Sequence, residues 1–305
     1  MSGGNTESVD ACTRFCAVLG HPIRHSASPA MQNAGMASLQ LNWRYLAAEV
    51  LPRDLAAAIA GAKAMRFIGL NLTVPHKLLA VEMVDELEES ARRLGAVNTI
   101  VFETRGPDGE WLPLGLAAED GAAEVRSHGF NTDADGLARS LQEEFPTLKL
   151  RGASVVLLGA GGAARAAAMR LAAEGVAQIC IVNRTAEKAA DLMAEVRARY
   201  PAVTPSFLPD AADLVINATS LGLKADDPSP ISANWLKSSR AQRAYDMIYR
   251  PAETVFLRVA RSAGCETANG LGMLLHQGAA ALELWSRQTA PLHVMRAALR
   301  KDIYG

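Results

Sequence analysis

The amino-acid sequence predicts an α/β fold in two domains, and three observations carry that prediction. Apolar, β-branched runs alternate along the chain with stretches of helical period. A glycine-rich turn, Gly159-Ala160-Gly161-Gly162, sits between one such run and a long Ala/Arg/Met/Leu stretch. With 305 residues, the chain is long enough for two cores of ordinary size.

After a polar tail, CAVLG (16–20) reads as a strand that runs into HPIRHSASP. Residues 29–39, opened by Pro29, read as a helix, and WRYLAAEV (43–50) as a second strand. Residues 53–64 are expected to be helical, RFIGLNLTV (66–74) a strand closed by Pro75, residues 77–94 largely helical, and AVNTIVFE (96–103) another strand. Residues 105–127 hold turn formers and no sustained period, so they read as a surface excursion, with a hairpin as one form of it. Residues 133–145 make a helix capped by Asn131 or Thr132, and the two halves of the α/β pattern join near residue 133. SVVLLGAGGAARAAAMRLAAEG (154–175) is strand, turn and helix, and AQICIVNRT (177–185) the next strand. DLVINATS (213–220) and RAYDMIY (243–249) follow as strands, and residues 272–287 as an Ala-rich helix. No repeat of solenoid period is present.

The turn at 159–162 and the strand after it point to a dinucleotide. Backbone N–H groups at a helix start carry partial positive charge, and Gly159 and Gly161 let a pyrophosphate approach the backbone closely. An acidic residue at the end of the second strand would bind a ribose 2'-hydroxyl and repel a 2'-phosphate. This chain has Asn183, Arg184 and Thr185 there, with Lys188 one turn on. Arg184 offers charge-assisted donors to a phosphate, so the pattern favours NADP over NAD.

Charge and composition narrow the partners. Lys plus Arg number 31 against 32 acidic residues, so no overall basic field recruits nucleic acid or an anionic membrane, and a small molecule is the expected partner. Cysteines 12, 16, 180 and 265 lack paired CxxC spacing, which argues against a zinc site or a disulfide framework and for reduced, mostly buried thiols. MSGGNTESVDACTRF has no apolar core of the signal-peptide kind, and no stretch is apolar for long enough to span a bilayer, so a cytoplasmic protein is expected.

Open α/β sheets bind ligands beyond the carboxyl ends of their strands. Ser26 and Ser28, two apart after the first strand, could grip a carboxylate from an extended segment, or Ser28 could cap the helix that follows. Asn71, Thr73 and Lys77 lie across a strand end and a turn, where Lys77 taken alone reads as a solvated surface lysine.

The ordered set HPIRHSASPAMQN, NLTVPHK, GAVNT, GFNTDADG, GAGGAARAA, NRT, NATSLG, YDMIYRPAET and NGLGMLLHQGA resembles the shikimate dehydrogenase family over nearly the full length. The resemblance implies a substrate domain of residues 1–132 and 271–305, a Rossmann-like NADP-binding domain of residues 133–270, and an active site in the cleft between them. It also implies reversible hydride transfer between NADPH and the C3 carbonyl of 3-dehydroshikimate, a step toward aromatic amino acids.

By motif, Lys77 matches the family's catalytic lysine and Asp133 its carboxylate partner. Ser26, Ser28, Asn71, Thr73, Asn98, Tyr249 and Gln277 match substrate-binding positions. Gly159, Ala160, Gly161, Gly162 and Ala163 match the pyrophosphate turn, Asn183, Arg184, Thr185 and Lys188 the 2'-phosphate site, and Thr219, Ser220, Met247 and Gly270 the nicotinamide half. The pairing is chemically apt, because hydride arrival puts negative charge on the carbonyl oxygen, which needs a cation or proton donor within reach. Two departures stand out: Gln32 replaces a His found in many members, and the excursion at 105–127 is longer than usual. His21, His25 and His76 are expected to serve as hydrogen-bonding or surface residues, and no metal site is expected. The resemblance also leaves open a quinate/shikimate dehydrogenase paralogue, a non-catalytic NADP/shikimate-binding sensor, and a monomer or a homodimer.

Overall fold

The apolar run at 16–20 lies within β1 (Arg14–Gly20), flanked by α1 (Ser28–Ser38), β2 (Trp43–Glu49) and α2 (Leu55–Ala64) of a computed structural model that describes residues 9–117, 124–206, 211–224 and 226–305. The chain divides into two units, Met1–Asp133 with Leu275–Gly305, and Ala134–Leu274.

In the first unit the chain continues through β3 (Gly69–Leu72), α3 (His76–Leu79), β4 (Glu86–Leu87), α4 (Glu89–Leu94), β5 (Thr99–Arg105), β6 (Trp111–Pro113) and β7 (Val125–Phe130). Its sheet has the order β2-β1-β3-β5-β7-β4, with β6 paired to β5. β1 is parallel to β2 and β3, whereas β5 runs antiparallel to β3, β6 and β7. Cys16 to Leu19 are all buried, as expected of a parallel strand covered on both faces. α2 sets Leu55, Ile59 and Ala62 at helical spacing against Leu70, Leu72, Ile100 and Phe102 of the sheet, which forms one core.

The second unit begins within α5 (Asp133–Glu144) and continues as β8 (Ser154–Leu158), α6 (Gly162–Ala173), β9 (Gln178–Val182), α7 (Ala186–Arg199), β10 (Thr204–Pro205), β11 (Leu214–Asn217), α8 (Ala233–Ser238), β12 (Arg243–Asp246), α9 (Val255–Ser262) and β13 (Glu266–Asn269). Its strands are all parallel in the order β10-β9-β8-β11-β12-β13, a Rossmann-like sheet. Register aligns the final residues of five strands: Leu158 pairs with Val182 and Asn217, and Asp246 with Asn217 and Asn269. The loops that follow these residues therefore leave one edge of the sheet together. α10 (Leu271–Ser286) carries the chain back into the first unit, where Trp285 Nε1 donates to Ile100 O at 3.0 Å, and α11 (Leu292–Tyr304) packs on α1.

Three segments differ from the sequence expectation. Residues 77–94 are not one helix, because β4 interrupts them by pairing Glu86 with His128 of β7, a contact that no local period announces. The strand expected at 66–74 shortens to β3. The excursion at 105–127 is not merely surface: β6 and β7 both pair with β5, and Leu114 is fully buried. The Trp111 ring takes cation–π contacts from Arg105 and Arg126, whose Cζ atoms lie 4.0 and 4.2 Å from its centre. Residues 118–123 of that excursion lie outside the described residues. β10 and β13 are further strands without a sequence signal of their own.

Candidate active site

Lys77 and Asp133 meet through backbone that the surrounding sheet ties down. Lys77 follows the tight turn after β3, where His76 N donates to Thr73 O at 2.8 Å, and the Lys77 carbonyl accepts Val97 N at 2.8 Å. Asp133 opens α5, its N–H donating to Asn131 Oδ1 at 3.1 Å, while Asn131 Nδ2 holds Ala96 O at 2.9 Å. Both residues are thus anchored to the 96–97 segment ahead of β5. Lys77 Nζ reaches Asp133 Oδ2 at 2.7 Å, with the side chains 30% and 13% exposed, so the pair stays open to a ligand.

A network of amides and hydroxyls lies on β2, β3, the start of β5 and the residue before Asp133. Asn71 is in register with Thr99, and its Nδ2 donates to Thr99 Oγ1 at 2.9 Å and to Asn98 O at 3.2 Å. Asn98 Oδ1 accepts Thr132 N at 2.7 Å and Thr99 Oγ1 at 3.1 Å, and its Nδ2 donates to Thr132 Oγ1 at 3.0 Å. Tyr45 OH donates to Asn71 Oδ1 at 2.7 Å. Burial pushes the Tyr45 phenol well above its ordinary value, with the neighbouring Cys16 adding to the rise and a hydrogen bond with Ser28 opposing it. Tyr45, Thr99 and Thr132 are members of this network that sequence reasoning missed. Their signal was a polar group inside an apolar strand, or immediately beside a matched Asn or Asp.

Ser28 does not cap α1. The helix has no side-chain cap, and Ser28 N instead donates to Ser26 Oγ at 3.3 Å. Thr73 anchors its backbone on Leu19 O at 3.0 Å. Gln277 lies on α10 in this first unit, whereas Tyr249 follows β12 in the second. Gln32 is fully buried and donates to Gly278 O at 2.8 Å, a tether between α1 and α10. His76 is buried with Nε2 against Val50 O at 2.9 Å, and burial lowers its pKa; His21 faces Glu49 at 3.1 Å.

In the second unit a cavity of about 770 Å³ sits on the aligned strand ends. Its walls include Gly159, Ala160 and Gly161 after β8, Asn183, Arg184, Thr185 and Lys188 after β9, and Ala218 to Leu221 after β11. Gly159 has φ +112°, and a Cβ there would come within 3.0 Å of Ala218 O, so the turn needs glycine. Nothing lies within 4 Å of the Cβ positions of Gly161 and Gly162, which leaves the start of α6 open to a phosphate. Gly162 and Ala163 begin α6 without lining the cavity. Among the described residues neither Arg184 nor Lys188 forms an ion pair, and the Thr185 side chain does not cap α7, so all three remain available to an anion. Met247 and Gly270 follow β12 and β13 outside the cavity wall. A Cβ on Gly270 would stand 2.2 Å from Met247 O, so these two turns touch only because residue 270 is glycine.

Among the described residues no group of three or more His, Cys, Asp or Glu could hold a metal ion, and no helix is long and apolar enough to cross a membrane. Cys12, Cys16, Cys180 and Cys265 are free thiols, the last three buried.

Three family models match in succession: the shikimate dehydrogenase substrate binding domain at residues 18–100, shikimate / quinate 5-dehydrogenase at 139–227, and the shikimate 5'-dehydrogenase C-terminal domain at 270–300. The chain is 43% identical to the shikimate dehydrogenase (NADP(+)) of Moorella thermoacetica over 96% of its length and 95% of the relative's. A crystal structure of a shikimate dehydrogenase in complex with NADP+ superposes with TM-score 0.83 at 36% identity, covering 98% of each chain. That of the Thermus thermophilus enzyme in complex with NADP(H) and shikimate gives 0.78 at 34% identity, covering 95% of this chain and 99% of the other. With identities of this size spanning both units, the chain belongs to the shikimate dehydrogenase family.

Proposed function

We propose that this protein is an NADP-dependent shikimate dehydrogenase, reversibly reducing 3-dehydroshikimate to shikimate in the route to chorismate and the aromatic amino acids. The observation that carries the proposal is the 2.7 Å Lys77–Asp133 pair beside an ordered array of amides and hydroxyls. NADPH, when bound, supplies the hydride. Lys77 donates a proton to the oxygen that gains negative charge and takes one back in the oxidative direction. Asp133 holds the Lys77 ammonium in place and accepts a hydrogen bond from a neighbouring substrate hydroxyl.

Ser26 and Ser28 bind the substrate carboxylate, with Asn71, Thr73, Asn98, Tyr249 and Gln277 assigned to the carboxylate or ring hydroxyls. Because polar groups fixed in this way lose their partners when a hydroxyl is missing, the site discriminates against deoxy analogues. Gly159 to Ala163 hold the pyrophosphate at the start of α6. Arg184, Thr185, Asn183 and Lys188 hold the 2'-phosphate, and Thr219, Ser220, Met247 and Gly270 border the nicotinamide half. The domain roles follow: residues 1–132 and 271–305 bind substrate and residues 133–270 bind NADP. Four free thiols suit the reducing cytoplasm, where the protein works as a monomer or homodimer.

Initial rates at 340 nm with shikimate or quinate, each with NADP or NAD, test the assignment. Turnover confined to shikimate with NADP is expected. Comparable rates on quinate or with NAD would move the protein to the quinate/shikimate dehydrogenases, and silence with all four pairs would leave a non-catalytic sensor.

A further inference from the structure

Asp246 ends β12 fully buried, and among the described residues no cation pairs with it. Three neutral donors converge on its carboxylate: Asn217 Nδ2 at 3.0 Å and Ile248 N at 3.0 Å on Oδ1, and Thr254 Oγ1 at 2.5 Å on Oδ2. A sheet interior does not need such a group, since an apolar side chain would fill the space without desolvating a carboxyl. What the carboxylate does here is join loops. Asn217, in register with Asp246, accepts Thr219 N at 3.1 Å and Thr219 Oγ1 at 2.7 Å, and its Nδ2 also reaches Leu221 O at 3.0 Å. Thr219 Oγ1 in turn accepts Leu221 N at 3.1 Å, closing the loop that walls the cavity from Ala218 to Leu221. On its other side, Asp246 fixes the Ile248 amide, and the Ile248 carbonyl accepts Gly270 N at 3.2 Å.

We propose that Asp246 is a positioning residue for the dinucleotide, setting the Thr219–Leu221 cavity wall through Asn217 and the Met247–Tyr249 turn through the Ile248 amide. The proposal rests on the assignment of that cavity to NADP. Orientation is the reason for an acceptor at this position. Asn217 can present its oxygen to Thr219 only if its amide nitrogen faces an acceptor, and the carboxylate supplies one.

The test uses the full chain, with steady-state kinetics, direct fluorescence titration of NADP and a thermal melt for each variant. Asp246→Ala is expected to raise both KM and Kd for NADP at least tenfold. Asp246→Asn keeps an acceptor oxygen and lets the Thr254 hydroxyl reverse, so it is expected to restore both NADP constants to within threefold. A uniform loss of kcat in Asp246→Ala with unchanged NADP constants would indicate a lower folded fraction and overturn the role. Should that variant fail to fold, the near-isosteric Thr254→Val decides: a threefold or larger rise in Kd for NADP supports positioning, and no rise overturns it. Arg184→Ala in the same titration separates the two failures. If the parent protein does not bind NADP, the cavity assignment falls and the inference with it. If binding weakens with Arg184→Ala but not with Asp246→Ala, only the role of Asp246 falls.

Discussion

Lys77 Nζ lies 2.7 Å from Asp133 Oδ2, although the two residues are 56 positions apart, because Val97 N bonds the Lys77 carbonyl and Asn131 bonds the Ala96 carbonyl. Two adjacent residues ahead of β5 thereby hold both ends of the pair. The ammonium is oriented by backbone geometry before any substrate arrives, the condition under which electrostatic stabilisation costs no reorganisation during reaction.

Lys77→Ala is expected to lower kcat by about two to four orders of magnitude, the range for a lost general acid/base, with a much smaller change in KM for shikimate. Steady-state rates at saturating NADP check this. Near-normal turnover would remove Lys77 from proton transfer.

Among the described residues Arg184 pairs with no acidic group, so its loss should be felt by the cofactor alone. Arg184→Ala is expected to raise KM for NADP about ten- to hundredfold, equivalent to roughly 1.5–3 kcal/mol for a charged hydrogen bond, with KM for NAD little changed. Equal weakening of both dinucleotides would argue against a 2'-phosphate contact.

Tyr45→Phe removes the donor on Asn71 Oδ1 while keeping the ring that packs near Trp285. A buried hydrogen bond lost in this way costs about 1–2 kcal/mol of stability. The released Asn71 amide is expected to raise KM for shikimate several-fold and leave KM for NADP unchanged. Parallel shifts in both KM values would detach Tyr45 from substrate binding.

Glu103 is buried on β5 with Arg126 Nε at 2.7 Å and His128 Nδ1 at 3.4 Å. Burial alone would raise its pKa, but the hydrogen bonds and charges of His128 and Arg126 together outweigh burial and hold it below the ordinary 4.5. A carboxyl with a lowered folded-state pKa contributes stability above its unfolded value, and that contribution is lost as pH falls through the folded value. Glu103→Gln is therefore expected to destabilise the protein by about 1.5–3 kcal/mol at pH 7, with the gap closing as pH falls below the ordinary 4.5 and through the lowered folded-state value. Denaturant melts of both proteins across that range check it, and a gap independent of pH would show that the Glu103 charge is not responsible.

Sequence by itself determined what depends on near neighbours. The Gly159 turn needs a positive φ, the end of β9 carries Arg184 where an acidic residue would select NAD, and β8 and α6 have periods readable within a dozen residues. The motifs also put Lys77 and Asp133 in view as chemically competent groups. Tertiary structure decided the features that depend on pairing between distant segments. β4 exists only because Glu86 meets His128, and residues 111–113 and 125–130 form strands because β5 is there to receive β6 and β7. Tyr45 and Thr132 joined Asn71 and Asn98 for the same reason, and so did Asp246 and Asn217. A hydrogen bond is specified by position to within a few tenths of an ångström. No local period records that position when the partners are brought together by strand register.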